Sequence, residues 1–365
     1  MPAFRMKRLG TIMEPEPGNP MEVEGVMNPA VIRGHDGELY LFPRLVAEGN
    51  FSRIGIARVI FDEEGDPVDV ERIGVALEPE MDYELRPDGG GCEDARITFV
   101  EPLKYYMMTY TAFGPNGPRI AFARSKDLMN WERLGLATFT PYKDIEFEDV
   151  FNKDAVFFPI AIPNPTGHPQ IAMLHRPIFQ GTHPEETAHL AHIHERKIDL
   201  PRESIWISYC ALNTDENEEE HLGRFTSHYR LASPVEYWET LKIGGGTPPI
   251  LTRHGWFFIY HGVSETTEGK MCYSAGAIVL STENPHQIKY RSRDPVLSPE
   301  TPHERVGVVD DVVFPTGLDR RDDLGTLDRI DVYYGMADHR IGVAYLEIPE
   351  ALPSEAKVDA PEAQS

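Results

Sequence analysis

Five times along this chain a short β-prone run follows a turn-like or polar stretch. That recurrence limits the fold more than any other feature. The runs fall at 38–42, 105–110, 170–175, 255–260 and 330–334. They are alternating, β-branched or aromatic, as strands on a pleated, packed surface require. Each unit opens on a loop: Asn28-Pro29, Glu93-Asp94-Ala95-Arg96, Asn152-Lys153-Asp154, Gly244-Gly245-Gly246-Thr247-Pro248-Pro249, and Phe314-Pro315-Thr316-Gly317. A later strand in each carries small residues, as in Ile54-Gly55-Ile56-Ala57 and Ala275-Gly276-Ala277-Ile278-Val279. Five such units predict an all-β chain and, within that class, a five-bladed β-propeller. A pair of stacked sheets is the alternative that periodicity leaves open. In a propeller the opening loops gather around one axis, so residues distant in sequence share a pocket.

The same pattern organises the chain. Residues 1–20 read as an N-terminal extension and 21–350 as one catalytic domain. Inserts interrupt the repeat near 183–202 and 213–237, and a disordered tail follows from 351 to 365. Acidic residues outnumber basic ones 59 to 35, for a net charge of −24. Nucleic acid and anionic membranes would be repelled, so neither is expected as a partner. No apolar run approaches the roughly 20 residues that span a bilayer. The basic start at Arg5, Lys7 and Arg8 has no apolar segment behind it, so a cytoplasmic protein is expected. Cys92, Cys210 and Cys272 have no metal-type spacing and read as reduced thiols. His189, His192 and His194 with Glu195 match no ligand pattern, so no metal is expected.

The chemistry concentrates in Gly89-Gly90-Gly91-Cys92-Glu93-Asp94-Ala95-Arg96. Three glycines permit close approach of a sugar, and Asp94 is the candidate proton donor. Arg96 beside it is expected to bind substrate or hold the carboxylate, and Glu93 to contact substrate. Lys153, Arg176, Lys242 and His261 lie at equivalent edges of the repeat and suggest an anion pocket. Glycoside hydrolysis needs a second carboxylate to activate water. Phosphorolysis needs cations instead, because phosphate is already a nucleophile. Glu93 or Asp154 is the candidate base if water is used. Asp310-Asp311 and Asp338-His339 could meet sugar hydroxyls or order turns. Trp206, Trp238 and Trp256 could stack on sugar faces or fill cores.

These phrases resemble glycoside hydrolase family 130, the mannoside phosphorylases and mannosidases. The likeness runs from Asn28 to Tyr345. It includes Ser52-Arg53-Ile54-Gly55-Ile56-Ala57, Ala123-Arg124-Ser125-Lys126-Asp127-Leu128, Leu174-His175-Arg176-Pro177, Ile205-Trp206-Ile207-Ser208 and Tyr260-His261-Gly262. The resemblance implies a five-bladed propeller that cleaves β-mannosides with inversion, using inorganic phosphate as co-substrate and no cofactor. It implies that Asp94 gives its proton through the mannose 3-hydroxyl. It assigns Lys153, Arg176, Lys242 and His261 to phosphate, and Asn28, Arg44 and Asp338 to mannose. Family hydrolases carry carboxylates where this chain keeps cations. Lys153 stands where some members have arginine, which keeps the charge and removes the fork. The family's tendency to assemble adds a homo-oligomer to the expectations.

Overall fold

Residues 255–260 bury alternate side chains on opposite faces of one strand. Phe257 and Ile259 enter one core cluster, while Trp256, Phe258 and Tyr260 enter another. Period-two alternation with both faces buried is the mark of a sheet packed between two neighbours. The computed structural model describes residues 4–142, 146, 147, 150–179, 202–211, 224–325 and 328–353. The histidine group at 189–194, residues 183–201 and 213–223 of the expected inserts, and the tail from 354 lie outside those residues.

The chain is all-β, built of antiparallel four-stranded units. The first comprises Gly25–Arg33, Leu39–Ala47, Phe51–Phe61 and Pro67–Leu77. The second comprises Gly90–Val100, Tyr105–Gly114, Gly117–Ser125 and Glu132–Leu136. A short parallel bridge at Phe51 and Ser52 joins these two into one eight-stranded sheet. The third unit is Phe151–Phe157, Pro169–Ile178, Ile205–Cys210 and Ser227–Ala232. The fourth is Lys242–Gly245, Gly255–Glu265, Met271–Leu280 and Ile288–Arg291.

The fifth unit is Val313–Arg320, Arg329–Met336 and Arg340–Glu347, completed by Lys7–Met13 from the other end of the chain. Two expectations are corrected here. Residues 7–13 are not an extension outside the domain, because their backbone groups complete the last sheet. Residues 227–232 are not insert, because they are the outer strand of the third unit.

Apolar side chains form a layer between successive units rather than one central core, as two stacked sheets would have. Phe42 and Ile54 meet Met108 and Tyr110 between the first and second units. Met107 and Phe122 meet Phe157 and Met173 between the second and third. Leu174 and Ile207 meet Phe258 and Ile278, and Ile259 and Val279 meet Val332 and Leu346. The last layer sets Tyr333 and Ile341 of the fifth unit against Leu41 and Val59 of the first.

A buried carboxylate staples four of these units. Glu22, Glu84, Glu239 and Glu304 each lie just before a unit's first strand and are essentially inaccessible. Each accepts from an arginine on the same unit's fourth strand: Arg72, Arg133, Arg291 and Arg8. Tyr110, Tyr260 and Tyr334 on second strands donate to three of them. Backbone N–H groups of the loop complete the shell, as at Val235 and Glu236 on Glu239 Oε2 (2.9 and 3.0 Å). A buried charge needs this degree of partnering. Removing one partner strands the other, so Glu239→Ala should cost about 3–5 kcal/mol in urea unfolding. A loss under roughly 1 kcal/mol, the range of a surface ion pair, would contradict the staple.

Candidate active site

First strands of these units carry bulges, and the site is built on them. The ladder slips between Met27 and Ala30, between Glu93 and Arg96, and between Lys153 and Val156. Within these slips Asn28, Asp94 and Asp154 adopt φ of 46°, 48° and 55°. Asn and Asp are the side-chain-bearing residues that tolerate this left-handed region best. Bulges re-aim side chains, and residues held in this region collect at functional sites. The glycines before Asp94 have a steric reason. A Cβ on Gly90 would lie 2.3 Å from the Phe113 carbonyl oxygen, and one on Gly91 would lie 2.2 Å from that of Ser52.

The structure brings Asp94, Asn28, Arg44 and Glu93 together. Asn28 Nδ2 donates to Asp94 Oδ1 at 2.9 Å, and Arg44 Nη1 reaches the same oxygen at 3.3 Å. Arg44 Nη2 donates to Glu93 Oε1 at 2.8 Å, and its Nε donates to Ser52 Oγ at 2.8 Å. Burial pushes the Asp94 carboxyl up, but Arg44, Arg96, the Asn28 hydrogen bond and Lys153 outweigh it. The carboxyl is held below its usual range. Asp338 behaves oppositely. Burial raises it to about 6, with Arg44 opposing and Asp94 and Glu93 adding repulsion. Three acids thus share Arg44, and one of them bears the electrostatic cost.

Arg96 is not where the sequence suggested. Its guanidinium does not hold the Asp94 carboxylate. It is buried and donates to the Asp94 backbone carbonyl at 2.8 Å, to Gly246 O at 3.1 Å and to Gly245 O at 3.3 Å. Its Nη2 also reaches Asp154 Oδ1 at 3.4 Å. Four of its five N–H groups are spent on protein atoms.

Asp154 is the hub of the second cluster. Arg176 Nε donates to its Oδ2 at 2.6 Å, and His261 Nε2 lies 3.6 Å from the same oxygen. Arg176 also pairs through Nη1 with Glu203. Lys153 faces Arg176 across the ladder, with its ammonium 5.4 Å from the Phe113 ring. Lys242 lies 6.0 Å over the Tyr273 ring. Gly244 is required by close approach. A Cβ there would meet Asp154 Oδ2 at 2.3 Å and the His261 ring at 2.4 Å.

His261 is a neutral member of this group rather than a cation. Burial lowers it to about 3 despite Asp154, and Arg176, Arg96 and Lys242 add to the effect. Neither of its ring nitrogens has a hydrogen-bond partner among the described residues. For Asp154, burial is outweighed by Arg176 above all, with Arg96 adding, and the carboxyl is held well below the usual range.

Sequence reasoning missed Glu203 and Tyr273. Burial raises the Tyr273 phenol to about 12, with Asp338, Asp154 and Asp94 adding and Arg176 opposing, so it lies between both clusters. Neither residue sits in a repeat-opening loop, which was the signal used. The tryptophans are core. Trp206, Trp238 and Trp256 are at most 3% exposed and cannot stack on a sugar. Asp310 pairs with Lys270, and the Asp311 carbonyl accepts from Tyr273 N at 3.0 Å, so both order the surrounding loop. No group of metal-ligating side chains occurs among the described residues.

The chain belongs to glycoside hydrolase family 130. The family model, described as beta-1,4-mannooligosaccharide phosphorylase, matches residues 5–353. A 1,2-beta-oligomannan phosphorylase of Thermoanaerobacter sp. (strain X514) is 31% identical, covering 95% of this chain and 99% of the relative. A beta-1,4-mannooligosaccharide phosphorylase of Ruminococcus albus is 38% identical over 125 residues, 34% of this chain and 36% of the relative. Among solved structures, the beta-1,2-mannobiose phosphorylase of Listeria innocua superposes with a TM-score of 0.67 at 24% identity. That match covers 94% of this chain and 97% of the other.

The raised Asp338 makes a pH prediction. A folded carboxyl near 6, against about 3.9 unfolded, favours folding below pH 4 and loses that contribution as pH rises through 6. Asp338→Asn should therefore be more stable than the parent at pH 7.5, by roughly 3 kcal/mol, with the gain fading below about pH 4. Thermal unfolding across pH 4–8 checks it. A gain that does not change with pH would refute the assignment.

Proposed function

We propose that this protein is an inverting glycoside phosphorylase. It cleaves β-mannosidic linkages of manno-oligosaccharides with inorganic phosphate and releases α-mannose 1-phosphate. The observation that carries this is the second cluster. Lys153, Arg176, Lys242 and Arg96 collect around Asp154 and Glu203, a short distance from the acid. Basic side chains brought together from separate units suit an anionic co-substrate such as phosphate. His261 contributes an N–H donor without charge.

In the reaction, phosphate is seated by Lys153, Arg176, Lys242 and His261. One of its oxygens attacks the anomeric carbon as the glycosidic bond breaks. The leaving oxygen takes a proton that originates on Asp94 and passes through a mannose hydroxyl. Asn28, Arg44, Glu93 and Asp338 surround the sugar. The free Asp94 carboxyl sits low because Arg44 above all, then the charges of Arg96 and Lys153 and the Asn28 hydrogen bond, outweigh burial. A bound dianion offsets those charges and moves the carboxyl toward the protonated state that donation requires.

A hydrolytic reading would need Asp154 or Glu93 as base. Asp154 is tied to Arg96 and Arg176 and held at low pKa, which makes it a poor proton acceptor. Glu93 is tied to Arg44. The whole-length match to a phosphorylase supports the same side. As a scaffold we infer a five-bladed propeller. Its support is the cyclic succession of apolar layers and the last sheet's use of both chain ends. The enzyme is a transferase in this reading, with phosphate as acceptor. It is cytoplasmic, forms a homo-oligomer as relatives' tendency to assemble suggests, and needs no metal or organic cofactor.

Incubation with β-1,2-, β-1,3- and β-1,4-mannobiose, with and without phosphate, tests the proposal. Mannose 1-phosphate should form only with phosphate, and free mannose appearing equally in both would overturn it. Asp94→Asn should lower kcat by about 10²–10⁴-fold, the usual range for losing a proton donor. A decrease of less than about tenfold would place the acid elsewhere.

A further inference from the structure

We infer that Glu203 is a positioning residue for phosphate, orienting Arg176 and anchoring the strand that bears Lys242. The inference rests on the phosphorolytic reading above. Glu203 is 8% exposed and lies two residues before the strand Ile205–Cys210. Its side chain pairs with Arg176 Nη1, while Asp154 takes Arg176 Nε at 2.6 Å. Two carboxylates on two edges of one planar guanidinium fix its plane and leave Nη2 as the remaining donor edge. A guanidinium recognises phosphate by that planar geometry, so its orientation matters as well as its charge.

The backbone of Glu203 acts on the other side of the seat. Its carbonyl accepts from Ile243 N at 3.1 Å, across the boundary between the third and fourth units. Ile243 follows Lys242 and precedes Gly244, so this one bond sets the strand that carries both. The preceding residue secures the anchor. Arg202 donates to the carbonyls of Thr240 and Pro234 at 2.6 and 3.2 Å. Those residues flank Glu239, the acid of the fourth unit's staple. Glu203 is thus held by a rigid turn and in turn holds one cation by its side chain and another by its backbone. Among the described residues, Asn28, Arg44 and Asp94 bond among themselves and not to Glu203.

Glu203→Gln keeps shape and backbone but removes the charge that holds Arg176. With a β-mannobiose cleaved by the parent protein, KM for phosphate should rise about tenfold, the effect of losing one oriented charge-assisted contact. KM for the mannobiose at saturating phosphate should stay within about twofold, because that contact is not with sugar. In the reverse direction, KM for α-mannose 1-phosphate should rise with that for phosphate. Glu203→Asp restores a carboxylate and should recover part of the loss, which separates positioning from general damage to the fold. An unchanged phosphate KM in Glu203→Gln, or equal rises in both KM values without recovery in Glu203→Asp, overturns the inference. Parent protein that cleaves without phosphate overturns the phosphorolytic reading instead, so the two failures are distinguishable.

Discussion

A single buried guanidinium ties the site together. Arg96 sits on the first strand of the second unit, yet it bonds the carboxylate of Asp154 in the third and the carbonyls of Gly245 and Gly246 in the fourth. Its remaining hydrogen bond is to the backbone carbonyl of Asp94 itself. Three units therefore hold a common register around one side chain. A buried arginine with any of these partners missing would be left with an unmet donor, an expensive state in a low-dielectric interior. Asp94 and the cluster around Asp154 cannot drift apart while that bonding is complete.

The second constraint is backbone geometry. Asn28, Asp94 and Asp154 occupy left-handed positions inside bulges of equivalent strands. A regular strand points successive side chains to opposite faces, both of which are buried here in apolar layers. Only a bulge turns a polar side chain out of that alternation and into the space at the strand ends. The staples of Glu22, Glu84, Glu239 and Glu304 supply the stiffness behind these strands. Each pins the loop entering a first strand to the last strand of the same unit.

Electrostatics divides the site into two halves with opposite needs. Around Arg44, burial lifts Asp338, with Asp94 and Glu93 adding repulsion, while Asp94 itself stays low. Around Asp154, burial keeps His261 neutral with Arg176, Arg96 and Lys242 adding, while Arg176 and Arg96 keep Asp154 ionised. Lys153 and Arg96 act on both halves. Charge arriving in the second half is therefore felt by the acid in the first.

Much of this was legible in the residues. The recurring β-prone runs specify an all-β chain because period-two burial leaves its mark in local sequence. The phrases Asn28-Pro29, Glu93-Asp94-Ala95-Arg96 and Asn152-Lys153-Asp154 marked the site because Asn and Asp are favoured where a bulge turns left-handed. Glu203 and Tyr273 were not legible, since neither lies in such a loop and their partners are distant in sequence. The bonding of Arg96 and the pairing of residues 7–13 with the last sheet were not legible for a related reason. Local pattern carries the period of burial and the residues that bulges tolerate. Which carboxylate meets which cation, and which edge strand completes which sheet, depend on distances across units, and only the folded chain sets those.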